Sequence, residues 1–322
     1  METHQTDYGT IYLCDNKQIL PLFEENSIDA MVTDPPYGYG MKDSAWDCEI
    51  PTVDFWKEAL RVLKPGAFAL VASGTRVQHR MATNLENAGF EIRDVIAWVY
   101  KSGFSKDSDC GKIAGSEWEG FKPRLKPAME LWTLAKKPIG KNTLKENLKE
   151  YGTGALNFNK CRIKNDYIKP MQKKYKQHRE YSASYRFGKK PNKDGYIVYE
   201  SHPDGREPSN FIHDGSDEVI KLFTDGAQHF FYCPKASQSE RNLGVEGRND
   251  HSTVKPLLLC RYLVRLITPP NGIVLDPFLG SGTTALACIE ERLKYIGIEQ
   301  DAHYFDICKQ RINHCLEQIT LL

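Results

Sequence analysis

Through the first third of the chain, short apolar runs alternate with stretches whose apolar side chains recur every three or four positions, and the same rhythm returns after Asp250. Such alternation belongs to an α/β protein with a mostly parallel sheet. Residues 27–34 read as a strand that ends on an acid, and Phe55 to Leu63 as a helix stopped by the breaker Lys64-Pro65-Gly66. Residues 67–72 show no polar alternation, so a strand buried on both faces is expected there. A helix over 76–88 ended by Gly89 and a strand over 92–99 follow, and 129–135 reads as an edge or hairpin strand. After Asp250 come a helix over 257–267, a Pro-Pro-Asn-Gly turn, a strand over 273–275 and a glycine-rich turn. Helices over 283–291 and 304–316 then flank a strand over 295–298.

From about Ile139 to Asp250 this rhythm fails, and Gly, Lys, Asn, Tyr and Pro dominate. The expected organisation is therefore one sheet shared by residues 1–139 and 251–322, with 140–250 inserted and projecting from it. Charge sharpens that picture. The whole chain carries a formal net charge of +1, yet between Lys160 and Lys193 basic residues outnumber acidic ones by roughly six to one, with Tyr167, Tyr175, Tyr181, Tyr185 and Phe187 interleaved. Such a segment suits a polyanion, and Lys173, Lys174 and Lys176 are its candidate phosphate contacts. The nine cysteines form no metal-spaced pair, so buried thiols in a reducing compartment and no metal site are expected. Nothing resembles a secretory leader or membrane span, which leaves a cytoplasmic protein as the expectation. The nine histidines lack triad partners and read as ordinary surface or core residues.

Two motifs carry chemistry. Asp276-Pro277-Phe278-Leu279-Gly280-Ser281-Gly282-Thr283 follows a strand and opens a helix, so its glycines let a ligand approach the backbone near unpaired helix N–H groups. Glu299 ends the next strand about 20 residues on, where such folds hold ribose hydroxyls. This combination points to an adenosine-containing ligand. A dinucleotide fits poorly, because the turn is not G-x-G-x-x-G and an acid precedes it where a pyrophosphate would be repelled. A ligand with a cationic end fits better. The second motif, Asp34-Pro35-Pro36-Tyr37-Gly38, sits at a strand's C-terminal end. Asp34 and the Pro35 carbonyl offer acceptors to one amino group, and Tyr37 offers a flat face. An aromatic amine needs such acceptors, since its lone pair is delocalised into the ring.

In this order the motifs resemble the β-class amino-DNA methyltransferases, in which D-P-P-Y comes first, a target-recognition region second and D-P-F-x-G-S-G-T last. Further matches to the phage and prophage type are Leu125-Lys126-Pro127-Ala128-Met129-Glu130, Gly152-Thr153-Gly154-Ala155-Leu156-Asn157, Ile212-His213-Asp214-Gly215-Ser216 and His251-Ser252-Thr253-Val254-Lys255-Pro256. His251-Ser252 departs from the commoner His-Pro. The resemblance implies a circularly permuted Rossmann-like fold with a mixed sheet of about seven strands and S-adenosylmethionine as cofactor. It implies that Asp276, Phe278, Gly280, Gly282, Thr283 and Glu299 line the cofactor pocket, that Thr253 or Lys255 meets the methionine carboxylate, and that Asp15 meets adenine. Asp34, Pro35, Pro36 and Tyr37 would act on a base flipped from duplex DNA. Asp at position 34 resembles adenine-N6 enzymes more than cytosine-N4 enzymes. Cytosine methylation, and a catalytically silent DNA-binding protein of the same fold, stand as alternatives, with an RNA or protein methyltransferase and a NAD oxidoreductase further off. A homodimer and a cognate restriction endonuclease are partners that the resemblance leaves open.

Overall fold

The computed structural model describes residues 1–40, 47–101, 103, 108–164, 171–174, 196–199, 202–223 and 230–320. Among these, ten strands form one sheet: β1 (Glu2–Thr6), β2 (Gly9–Leu13), β3 (Ile28–Thr33), β4 (Leu63–Ser73), β5 (Glu91–Val99), β6 (Met129–Lys136), β9 (Phe211–His213), β10 (Phe231–Tyr232), β11 (Ile273–Asp276) and β12 (Lys294–Glu299). Their order across the sheet is β1-β2-β12-β11-β3-β4-β6-β5-β9-β10. β7 (Met171–Lys174) and β8 (Tyr196–Tyr199) pair antiparallel in a separate ribbon. Strands β2, β12, β11, β3 and β4 run parallel, while β6 lies antiparallel between β4 and β5.

The central strands lack polar alternation because both faces are covered. Ala30 and Val32 of β3, with Phe68, Leu70 and Ala72 of β4, pack against the helices Leu257–Ile267, Thr283–Glu290 and Ala302–Thr320. Met31, Ala67, Ala69 and Val71 point the other way, against Val53–Val62 and Gln78–Asn87. Each fully buried Leu or Phe in these layers contributes roughly 1.5–3 kcal/mol of hydrophobic stabilisation. Six of the nine cysteines are buried, four of them (Cys260, Cys288, Cys308 and Cys315) on the same helical layer.

Several expectations change. The sheet has ten strands, because β1 and β2 extend one edge and β9 and β10, from within 140–250, extend the other. Part of the middle third thus belongs to the main sheet. Residues 129–136 form an internal strand bonded to β4 and β5 rather than an edge. Lys64-Pro65-Gly66 does not separate helix from strand: the helix ends at Val62 and β4 begins at Leu63, with the irregularity absorbed by a register shift against Ile28 and Ala30. The helix Leu144–Tyr151 packs against β4. Its buried Asn147 donates to the Pro65 and Thr153 carbonyls, and Thr153 Oγ1 donates to Pro65 O, which docks the Gly152–Asn157 motif under β4. The last helix spans Ala302–Thr320, longer than its apolar spacing predicts.

Between β11 and β3 the chain reverses its direction of travel across the sheet, since β12 follows β11 on one side and β4 follows β3 on the other. Open α/β sheets bind ligands beyond the C-terminal ends of strands at such a switch point. Asp29, buried at the opposite end of β3, accepts from Lys64 Nζ at 2.6 Å and from the Ile273 N–H at 2.8 Å, which ties β3, β4 and β11 together.

Candidate active site

On one side of the switch point, β11 delivers Asp276 and the loop to Gly282. Gly280 and Gly282 have φ of +55° and +87°, a region disfavoured for residues with a Cβ. A Cβ would also meet the His251 ring at the first and Cys308 Sγ at 2.4 Å at the second. Buried Arg311 lies beneath the loop and donates to Ser281 O at 2.6 Å and Ser281 Oγ at 3.1 Å. Asp276 Oδ1 accepts from Thr33 Oγ1 at 2.7 Å and from the Phe278 N–H at 3.1 Å. Burial nonetheless pushes its pKa up to about 6, because these hydrogen bonds only partly replace water. Glu299 accepts from the Gly280 N–H at 2.7 Å and the Asp301 N–H at 2.8 Å, and burial outweighs these bonds to leave its pKa raised. Asp15 caps the helix Asn16–Ile19, and Asn16 Nδ2 donates to Pro277 O at 2.8 Å, so the N-terminal turn is anchored on the Asp276 loop.

On the other side, β3 delivers Asp34 and the Pro35-Pro36-Tyr37 turn. Asp47, itself buried, accepts from the N–H groups of Tyr37 and Gly38 at 2.8 and 2.9 Å and so fixes the turn. The Tyr37 hydroxyl lies 2.7 Å from Asp34 Oδ1 and 2.5 Å from Glu130 Oε1. Lys255 Nζ donates to Asp34 Oδ2 and lies 3.2 Å from Glu130 Oε1. Burial raises the Tyr37 pKa well above its ordinary value, and the two carboxylates add to it. For Lys255, burial opposes the charge, but Asp34 and Glu130 outweigh it and hold the ammonium protonated.

The two halves open on one cleft of about 650 Å³. Of the residues singled out in the sequence, Asp15, Asp34, Pro36, Thr253, Lys255, Asp276, Phe278, Gly280, Thr283 and Glu299 line it. Pro35 is buried, Tyr37 turns its hydroxyl onto the carboxylates, and Gly282 begins the helix; these three flank the cleft rather than line it. Lys255 meets Asp34 and Glu130. Lys173 and Lys174 fall in β7, and Lys176 lies outside the described residues.

Glu130, Asp47 and Arg311 are residues that sequence reasoning missed. Glu130 stood within a motif, but only the β4-β6-β5 pairing carries it to Asp34. His251, which opens the motif carrying Thr253 and Lys255, also lines the cleft; it packs edge-on against Tyr304 at 4.5 Å, and its pKa is lowered to about 4, first by burial and then by Lys255 and two arginines. Trp132, 1% exposed, lines the cleft too, and its indole N–H has no partner among the described residues.

An α/β sheet with paired acidic motifs across its switch point defines the class as a methyltransferase fold. The solved PvuII DNA methyltransferase, described as cytosine-N4-specific, superposes with a TM-score of 0.55 at 18% identity over 98% of this chain and 93% of its own. M1.HpyAVI superposes with a TM-score of 0.50 at 19% identity, over 94% and 98% of the two chains. The chain belongs to the DNA methylase family, which it matches over residues 28–310. Curated relatives include the Type II methyltransferase M.HindIII of Haemophilus influenzae, 26% identical over 82% of this chain and 70% of its own length. M.BglI of Bacillus subtilis is 23% identical over 92% and 84%.

Proposed function

We propose that this protein is a site-specific DNA methyltransferase that carries a methyl group from S-adenosylmethionine to the 6-amino group of adenine in duplex DNA, after the base is flipped from the helix. One observation carries this reading: Asp34 and Asp276, from neighbouring strands, line one cleft. The residues present suit the cofactor. Asp276 and Glu299 offer carboxylates to its sulfonium and ribose hydroxyls, Phe278 offers an apolar wall, and the Thr253 hydroxyl a donor for its carboxylate. When bound, it supplies an electrophilic methyl group on a cationic sulfur.

Asp34 accepts a hydrogen bond from the target amino group, which draws electron density onto nitrogen, and the Pro36 and Tyr37 side of the turn offers the ring a surface. A methylated amino nitrogen would be cationic and would lose a proton, which the Asp34 carboxylate in the cleft would be placed to accept. Flipping costs a few kcal/mol, offset by stacking and hydrogen bonds in the pocket. Relatives named Type II methyltransferases favour a place beside a restriction endonuclease.

Labelled S-adenosylmethionine and duplex DNA test the reading. Label should enter DNA, and digestion to nucleosides should yield N6-methyladenine. N4-methylcytosine would establish the cytosine alternative, and no transfer with retained DNA binding the catalytically silent one. Asp34→Ala should abolish transfer while cofactor affinity stays within about tenfold, because Asp34 acts on the base. A fully active variant would sink the assignment.

A further inference from the structure

Both oxygens of Asp34 are occupied: Oδ1 by the Tyr37 hydroxyl at 2.7 Å and Oδ2 by the Lys255 ammonium. An amino group that is to donate to Asp34 must compete with these donors, one of them charged. Both bonds are charge-assisted, since the acceptor is a carboxylate, but only the ammonium adds a positive charge of its own, so it is the larger obstacle. It also cancels the negative charge that makes Asp34 useful to a nitrogen becoming cationic. Yet both donors already touch a second carboxylate. Glu130 Oε1 lies 2.5 Å from the Tyr37 hydroxyl and 3.2 Å from Lys255 Nζ.

The surroundings hold Glu130 in place for this. It sits at the start of β6, in register with Trp98 of β5, and its side chain is 13% exposed. Lys255 follows the loop from His251 and is buried, so its ammonium has little solvent to turn to. Asp34, Glu130 and Lys255 together carry one net negative charge, with Tyr37 held neutral by its raised pKa.

We propose that Glu130 is a positioning residue for methyl transfer: it takes over the Lys255 ammonium and the Tyr37 hydroxyl when the target amino group engages Asp34. Asp34 is thereby released as a free, charged acceptor, while Lys255 moves between two carboxylates that it already touches. The net negative charge of the cluster then meets the positive charge that develops on nitrogen. The inference rests on Asp34 being the acceptor for the target amino group.

The test measures kcat and KM on duplex DNA at saturating S-adenosylmethionine, with cofactor affinity by calorimetry. Glu130→Gln preserves shape but cannot hold the ammonium as an anion. Its kcat should fall about tenfold or more with cofactor affinity within about twofold of wild type, and Glu130→Asp should retain more activity than Glu130→Gln. The decisive variant is the double one. Removing the ammonium removes the need for its second seat, so Glu130→Gln with Lys255→Met should be faster than Glu130→Gln alone.

A wild-type kcat in Glu130→Gln, or a double variant no faster than the single one, overturns the proposal. So does loss of cofactor binding in Lys255→Met alone, which would put the ammonium on the cofactor. An active Asp34→Ala sinks the underlying reading. An inactive Asp34→Ala beside a fully active Glu130→Gln sinks this inference only.

Discussion

Asp276 and His251 face one cleft with opposite perturbations, and the signs lead to different consequences. Burial raises the Asp276 pKa from 3.8 to about 6, so its contribution to stability is present below the unfolded value and is lost as pH rises through 6. His251 is lowered from 6.5 to about 4, so its contribution is present above 6.5 and is lost as pH falls through 4. Between pH 4 and 6 the two trends oppose one another, and each amounts to about 3 kcal/mol across its full window. Asp276→Asn removes one of them. From pH 4 to 7 its unfolding free energy should therefore move in the variant's favour, relative to wild type, by about 3 kcal/mol. Chemical denaturation at several pH values measures this, and a pH-independent difference would mean that Asp276 is not titrating as described. In the wild type, cofactor affinity should weaken as pH falls through 6, since protonated Asp276 no longer attracts a cation. The D-P-F motif named Asp276 from sequence alone, but its titration depends on the Thr33 hydroxyl, 243 residues away, and on the helices that exclude water.

At the scale of elements, the strands and helices that build the cleft were legible because each has one unambiguous period. The apolar run 67–72 could only be a strand covered on both faces, and β4 is one. The sequence left β6 as an edge or a hairpin strand; it pairs antiparallel with the preceding β5 as a hairpin strand does, but it lies inside the sheet, because periodicity cannot tell which other neighbours a strand will take. That pairing matters most for function, since it brings Glu130 to the D-P-P-Y turn. The basic stretch from Lys160 to Lys193 includes β7, whose antiparallel pairing with β8 forms a ribbon apart from the main sheet. We propose that this stretch engages DNA phosphates. Replacing Lys173, Lys174 and Lys176 with Ala should weaken duplex binding and flatten the slope of log affinity against log salt, by roughly 1 for each phosphate no longer neutralised. Cofactor affinity should stay unchanged. A wild-type slope in the triple variant would remove these lysines from the interface.

Across the whole molecule, the cleft is assembled from the N-terminal turn, β3, β6 and the C-terminal β11–β12 unit, so a bound cofactor bridges segments far apart in sequence. Ligand that binds only the folded chain stabilises it by about 2.7 kcal/mol at a hundredfold excess over Kd. S-adenosylmethionine at that excess should raise the thermal midpoint by roughly 5 °C, and an unchanged midpoint would count against the cleft as its site. The sequence by itself determined the α/β class, the two acidic motifs and the order in which they occur. Those depend on local spacing: an acid at a strand end, glycines where a side chain would clash, a helix behind them. Only the tertiary structure decided that β11 lies beside β3 and that Glu130 and Lys255 share Asp34. It also set Arg311 beneath the glycine loop and His251 neutral against it. These are contacts between residues up to 244 positions apart, fixed by which faces bury together and by the water they exclude, and no local pattern records them.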